Sequence, residues 1–144
     1  MAIWQNLPDL TRLNDPGREH MGTFLGIEFL RVDADALVAR MPVNERTRQP
    51  FGILHGGASV VLAETVGSVA SNYAIDNQLF QAVGLEINAN HLRPVSEGFV
   101  TAHCRPIHLG RATHVWDIRL FDDAGRMTCI CRLTVAIVER GRIK

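Results

Sequence analysis

The sequence has no surplus of charge, because fifteen Lys and Arg residues balance fifteen Asp and Glu residues. Binding to a phosphate backbone rests largely on cationic excess, so nucleic acid is not an expected partner. Long apolar runs are missing as well. The opening residues, Met1 to Asp9, have neither the basic start nor the apolar core of a secretory leader, and no later stretch approaches the roughly twenty apolar residues of a membrane span. A cytoplasmic protein with no membrane partner is expected. Cysteine is scarce: Cys104, Cys129 and Cys131 are the three in the chain. An odd number suits a disulfide framework poorly, and residues two apart in a strand share a face, so Cys129 and Cys131 read as reduced core thiols.

Several catalytic signatures are absent. The nearest approach to a G-x-S-x-G nucleophile elbow is Gly57-Ala58-Ser59-Val60-Val61, which lacks the second glycine. His91, His103, Cys104, His108 and His114 match neither a zinc ribbon nor an H-E-x-x-H helix, and His103 and Cys104 should face opposite sides of a strand. No metal site is expected. There is no Walker A or dinucleotide-binding glycine motif, no internal repeat, no low-complexity tract and no linker.

What is present suits one compact domain over residues 1–144, since 47% of the chain is hydrophobic. Leu7, Leu10 and Leu13 recur at helical spacing within a lead-in over about residues 1–20, which ends at Asp15-Pro16-Gly17. Two strands joined at Asp33-Ala34-Asp35 are expected between Thr23 and Met41. A connection over 43–54 then leads into a helix from about Gly56 to Tyr73 that is apolar almost all round, the pattern of a buried helix. Strands follow at roughly 80–92, 98–108, 112–122 and 127–138, the last two joined by an Asp122-Asp123-Ala124-Gly125 turn. The order predicts an α+β fold in which one curved antiparallel sheet wraps a central helix. Gly57, Ala58, Ala63, Gly67, Ser68, Ala70 and Ser71 would allow close approach of that sheet.

Glu64 stands out on this helix, because Val60, Val61, Gly67 and Ser68 are its neighbours one turn away. It reads either as an ordinary solvated glutamate or as a dehydrated carboxylate whose raised pKa suits general-base work. The second reading is preferred, since the helix offers no polar face. Leu54-His55-Gly56-Gly57 also has two readings. It is either a plain helix start with His55 as a cap, or an oxyanion site in which the Gly56 or Gly57 amide meets a developing negative charge. His55 would then donate a further hydrogen bond or orient Gln49. Gly56 and Glu64, eight positions apart, are separated by roughly 12 Å along a helix, too far for both to act on one carbonyl carbon. If they act together, two chains must share each site, which predicts a C2 dimer.

The segment Arg48-Gln49-Pro50-Phe51-Gly52-Ile53-Leu54-His55-Gly56-Gly57-Ala58-Ser59-Val60-Val61-Leu62-Ala63-Glu64-Thr65 resembles the signature of PaaI-type hotdog-fold thioesterases. The resemblance continues through Val83 to His91 and Pro106 to Arg111, and is closest to the branch containing 1,4-dihydroxy-2-naphthoyl-CoA hydrolase and the enterobactin proofreading thioesterase. It implies a hotdog fold and hydrolysis of acyl-CoA thioesters, with an aroyl acyl group, and no cofactor beyond the CoA of the substrate. Glu64 would be nucleophile or general base, and the Gly56 amide the polariser of the carbonyl. Gln49 and His55 would support the carbonyl and the attacking group, and Ser68 would hold the hydrolytic water. Val83, Asn90, His91, Arg93, Ile107, His108, Gly110 and Arg111 would contact the acyl group or CoA. A homotetramer, as a dimer of dimers, is also implied by the resemblance.

Alternatives remain within this fold. An acyl-CoA sensor would normally need an effector region, and a hydratase would arrange His and Asp differently around the helix. A thioesterase acting on carrier-protein-bound aryl groups would use the same residues. Phe51, Leu54, Val69 and Tyr73 read either as an acyl pocket or as core.

Overall fold

The structure, a computed structural model, describes residues 1–143. In chain order the elements are α1 (Leu10–Leu13), α2 (Met21–Phe24), β1 (Glu28–Val32), β2 (Leu37–Pro42), α3 (Gly56–Ala74), β3 (Phe80–His91), β4 (Phe99–Leu109), β5 (Thr113–Phe121) and β6 (Met127–Glu139). Six strands form one antiparallel sheet in the order β1-β2-β4-β5-β6-β3, and α3 lies against β2 through β6. This is the hotdog architecture. No helix among the described residues is long and apolar enough to cross a membrane.

The pattern of α3 resolves into two faces. Ser59, Leu62, Ala63, Val66, Gly67, Ala70 and Ser71 recur at intervals of three and four residues and are buried against the sheet. Their sheet partners include Leu37, Met41, Val100, Trp116, Ile118, Leu120, Leu133 and Val135, all fully buried. Each such aliphatic side chain contributes about 1.5–3 kcal/mol by leaving water. Gly67 is where helix and sheet come closest: a β-carbon there would sit 2.5 Å from Leu133 Cδ2. The opposite face, with Val60, Val61, Glu64, Thr65, Ser68 and Val69, is only half covered by its own chain.

Alternation along β4 and β6 turns Cys104, Cys129 and Cys131 into the core, with Cys129 and Cys131 on one face and their sulfurs 3.6 Å apart. All three thiols are free. The Asp122–Gly125 turn forms as expected: Asp122 Oδ1 accepts from Ala124 N–H at 3.0 Å and Gly125 takes φ +77°.

The N-terminal region departs from expectation. Helix is confined to Leu10–Leu13, capped by Asp9, and Leu7 is exposed. A second short helix, Met21–Phe24, replaces the expected beginning of a strand at Thr23, because His20 and Thr23 form a reciprocal capping box.

Candidate active site

The residues preceding α3 are held by main-chain hydrogen bonds. Leu54 N–H donates to Val95 O at 2.7 Å, and His55 N–H to Thr47 O at 2.8 Å. Between them, Gln49 to Ile53 forms a tight turn in which Gly52 takes φ +85°. Arg48 ties the turn down by donating twice to Ser96 O, at 3.0 and 3.1 Å. Inside the turn, Gln49 Oε1 accepts from Phe51 N–H. With its oxygen engaged, the amide of Gln49 keeps its NH2 group as an unused donor at the recess described below.

His55 caps α3, and its Nδ1 accepts from Gly57 N–H at 2.8 Å. The cap reading is therefore correct for this ring, and it has a chemical consequence. An accepting Nδ1 places the proton of the neutral ring on Nε2, so His55 also presents a donor. The expectation that either glycine amide is available narrows. Gly57 N–H is occupied by His55, and the N–H groups of Ala58 and Ser59 are engaged by His55 O at 3.0 and 3.3 Å. Gly56 N–H has no partner among the described residues, at the positive end of a nineteen-residue helix.

Gly56 borders a recess of about 370 Å³ together with Gln49, Ser59, His91, Arg93 and Thr128. A β-carbon on Gly56 would lie 2.9 Å from His91 Nε2, so the missing side chain is what lets the imidazole pack against this residue. Arg93 is steadied by donating to Met127 O at 2.7 Å. Ser59, buried and i+3 from Gly56, went unrecognised in the sequence. Its position on the same helical face was the available signal.

Glu64 does not line this recess. It is half-buried rather than buried, because its own chain covers only one side of it. The carboxylate lies over β3, where a β-carbon on Gly84 would be 2.7 Å from Glu64 Oε1. A bulge in β3 between Gly84 and Glu86 keeps Ala82 on one side and Ile87 and Ala89 on the other packed toward the helix. Ser68, one turn after Glu64, is half-buried on the same open face. Asn72 continues this strip: its Nδ2 donates to Ser68 O at 3.0 Å, and its Oδ1 accepts from Ala82 N–H at 3.1 Å. Neither Gly84 nor Asn72 was singled out by sequence reasoning.

The remaining predicted contacts lie elsewhere. Val83 alternates with Ala82 and so points to the convex face of the sheet, while Asn90 is exposed. Ile107, His108 and Arg111 are exposed near the β4–β5 turn. Gly110 and Arg111 border a second recess of about 360 Å³ beside the C-terminal end of α3. Phe51 is 91% exposed at the tip of its turn, so it belongs neither to the core nor to a pocket of its own chain. Val69 and Tyr73 line a depression against the N-terminal segment. A larger concavity of about 720 Å³, with Arg105, Asp117 and Arg119, lies on the convex face, on the other side of the sheet from Glu64. Among the described residues no cluster of three or more His, Cys, Asp or Glu side chains is arranged to hold a metal ion.

Comparison with known proteins identifies the family. Residues 51–129 match the model of the Thioesterase superfamily. The chain is 51% identical over 136 residues to 1,4-dihydroxy-2-naphthoyl-CoA hydrolase of Escherichia coli, covering 94% of this chain and 99% of that protein. It is 47% identical over 135 residues to the proofreading thioesterase EntH of Klebsiella pneumoniae, covering 94% and 98%. Among solved structures, a thioesterase from Haemophilus influenzae superposes with a TM-score of 0.93 at 42% identity, covering 98% of each chain. A mutant thioesterase from Pseudomonas aeruginosa gives 0.94 at 54% identity, covering 96% of this chain and 99% of that one. The chain belongs to the thioesterase superfamily and is a hotdog-fold thioester hydrolase.

Proposed function

We propose that the protein hydrolyses acyl-CoA thioesters, aroyl-CoA above all, at sites shared between two copies of the chain. The observation that carries this reading is the unpartnered Gly56 N–H at the head of α3, which lines one recess with the Gln49 amide. Two donors there suit a thioester oxygen that becomes negative in the tetrahedral intermediate. His55 Nε2–H supplies a further donor at the head of α3.

What supports the sharing is β3, which ends the sheet. Ala82 N–H, turned away from β6, is occupied by Asn72, so the strand is open to a neighbour only beyond that point, up to His91. Antiparallel pairing of two such edges about an axis near Ile87 and Asn88 sets the Gly84 end of one strand against the His91 end of the other. Glu64 lies over Gly84, and Gly56 lies under His91. The same pairing therefore brings the carboxylate of one copy to the free amide of the other.

Glu64 then acts in one of two ways. Its oxygen adds to the thioester carbon and expels CoA thiolate, leaving a mixed anhydride that water cleaves to the acid and free Glu64. Alternatively, Glu64 takes a proton from water held near Ser68, the resulting hydroxide adds, and the departing thiolate receives the proton. Transfer of oxygen-18 from water into the Glu64 carboxylate during turnover identifies the first route.

A thiol-release assay with benzoyl-CoA tests the function. The wild-type protein should liberate CoA and Glu64→Ala should not, at unchanged fold. Binding of benzoyl-CoA without release by the wild type would establish a sensor instead. Release from a carrier-protein thioester with none from benzoyl-CoA would move the substrate to the carrier-bound class. Cell fractionation tests the expected cytoplasmic location.

A further inference from the structure

The buried polar side chains of this protein spend their hydrogen bonds on the fold, with one exception. Thr47 Oγ1 donates to Pro42 O at 2.9 Å, and Thr128 Oγ1 donates to Leu120 O at 3.3 Å. Ser71 Oγ accepts from Trp116 Nε1–H at 2.7 Å and lies 3.1 Å from His114 Nδ1, which satisfies two more. Ser59, on α3 and only 3% exposed, makes no such bond: its hydroxyl has no partner among the described residues. A helical serine commonly turns its hydroxyl to the carbonyl four residues back. For Ser59 that carbonyl is His55 O, which already receives the N–H groups of Ala58 and Ser59 itself, at 3.0 and 3.3 Å.

Among the described residues, no side-chain nitrogen or oxygen that is sealed from solvent lacks a partner. The Ser59 oxygen is therefore not sealed, and the space it borders is the recess it shares with Gly56 and Gln49. The Cα–Cβ bonds of a helix tilt toward its N-terminus, which turns this hydroxyl to the Gly56 end. Much of the remaining wall is apolar, formed by Ile53, Leu54, Leu92, Pro94 and Val95. An apolar chamber with a few fixed polar groups suits a ligand whose body is apolar and whose orientation is set by those groups.

A thioester whose carbonyl oxygen meets Gly56 N–H extends two arms from its carbonyl carbon. The pantetheine arm is long and polar and must run out to solvent, so a recess of about 370 Å³ does not suit it. The acyl group matches the recess in size and lining. We propose that Ser59 is a specificity-determining residue whose hydroxyl hydrogen-bonds an oxygen substituent carried by the acyl group, at a point beyond the thioester carbonyl. This rests on the acyl-CoA reading. In the free protein the hydroxyl faces the solvent of the recess, and an acyl group that lacks the substituent leaves it unpaired, which is how such a site discriminates.

Four thioesters test the idea: benzoyl-CoA and its ortho-, meta- and para-hydroxy derivatives. Ring hydroxyls also alter the reactivity of the carbonyl, so the readout is the change in preference between wild type and Ser59→Ala. For at least one isomer, the kcat/KM preference over benzoyl-CoA should fall about three- to tenfold in the variant, the worth of one neutral hydrogen bond. Alanine is the stronger helix former and no hydrogen bond within the fold is lost, so the urea midpoint of Ser59→Ala should not drop. Identical preferences in the two proteins for all three isomers would overturn the proposal. A lowered midpoint would overturn it as well, because the hydroxyl would then be serving the fold. Failure of the wild-type protein to cleave any of the four would instead overturn the acyl-CoA reading.

Discussion

The carboxylate of Glu64 occupies space that a side chain on Gly84 would need: a β-carbon on Gly84 would lie 2.7 Å from Glu64 Oε1. Gly84 has no positive φ, so alanine fits its backbone, and the atom it would strike is the free end of a flexible side chain. Gly84→Ala should therefore leave the unfolding free energy within about 1 kcal/mol of wild type, while displacing the carboxylate costs on the order of a hundredfold in kcat/KM. Full activity in a folded Gly84→Ala protein would show that Glu64 does not work from this position.

Gly67→Ala should behave in the opposite manner. Its β-carbon would lie 2.5 Å from Leu133 and 3.1 Å from Ile118, both fully buried with little room to retreat. Overpacking of this kind costs about 1–3 kcal/mol, against about 1 kcal/mol gained in helix propensity. Denaturant titration should show net destabilisation, and repeating the substitution in a Leu133→Ala background should remove it.

Stability should also depend on pH through His114 and His103, whose pKa values both lie below the ordinary 6.5. Burial is the main cause in each, followed by His108 for His114 and by Arg31 and Arg105 for His103, where Asp33 opposes. The unfolded chain takes up these protons first on acidification. Stability is thus complete above about pH 6.5 and is lost as the pH falls through the lower folded values. Denaturation midpoints across this range should decline toward acid, and His114→Gln should decline less.

Subunit mixing tests the shared site. Glu64→Ala and Gln49→Ala proteins should each be nearly inactive, but after exchange a mixed dimer contains one site with both groups intact, and about a quarter of wild-type activity should return at equal mixing. Confirmed exchange with no recovery would place Glu64 and Gln49 in the same chain's site.

Much of this was legible in the sequence because it depends on which face each residue takes. Alternation placed β3 through β6 within a residue or two, and the small residues of α3 announced close contact with a sheet. Sheet order was less accessible. β3 pairs with β6 rather than with β4, which follows it, and a pattern of faces does not identify lateral neighbours. The lead-in was overextended because Leu7, Leu10 and Leu13 have helical spacing, whereas the boundaries are set by local caps at Asp9 and His20. The covering of Glu64 was misjudged for a different reason: an apolar helix surface signals that something covers it, not that the same chain does.

The capped start of the β3 edge has a consequence for the size of any assembly. At the other end of the sheet, β1 is five residues long, broken by a bulge after Phe29, and flanked by the Arg31–Asp33 and Arg40–Glu28 ion pairs. Such an edge resists addition of a further strand. A sheet with one inviting margin and one guarded margin joins once, head to head, and has no equivalent margin left to offer. The strand pairing proposed above would therefore stop at two copies instead of propagating into a fibre.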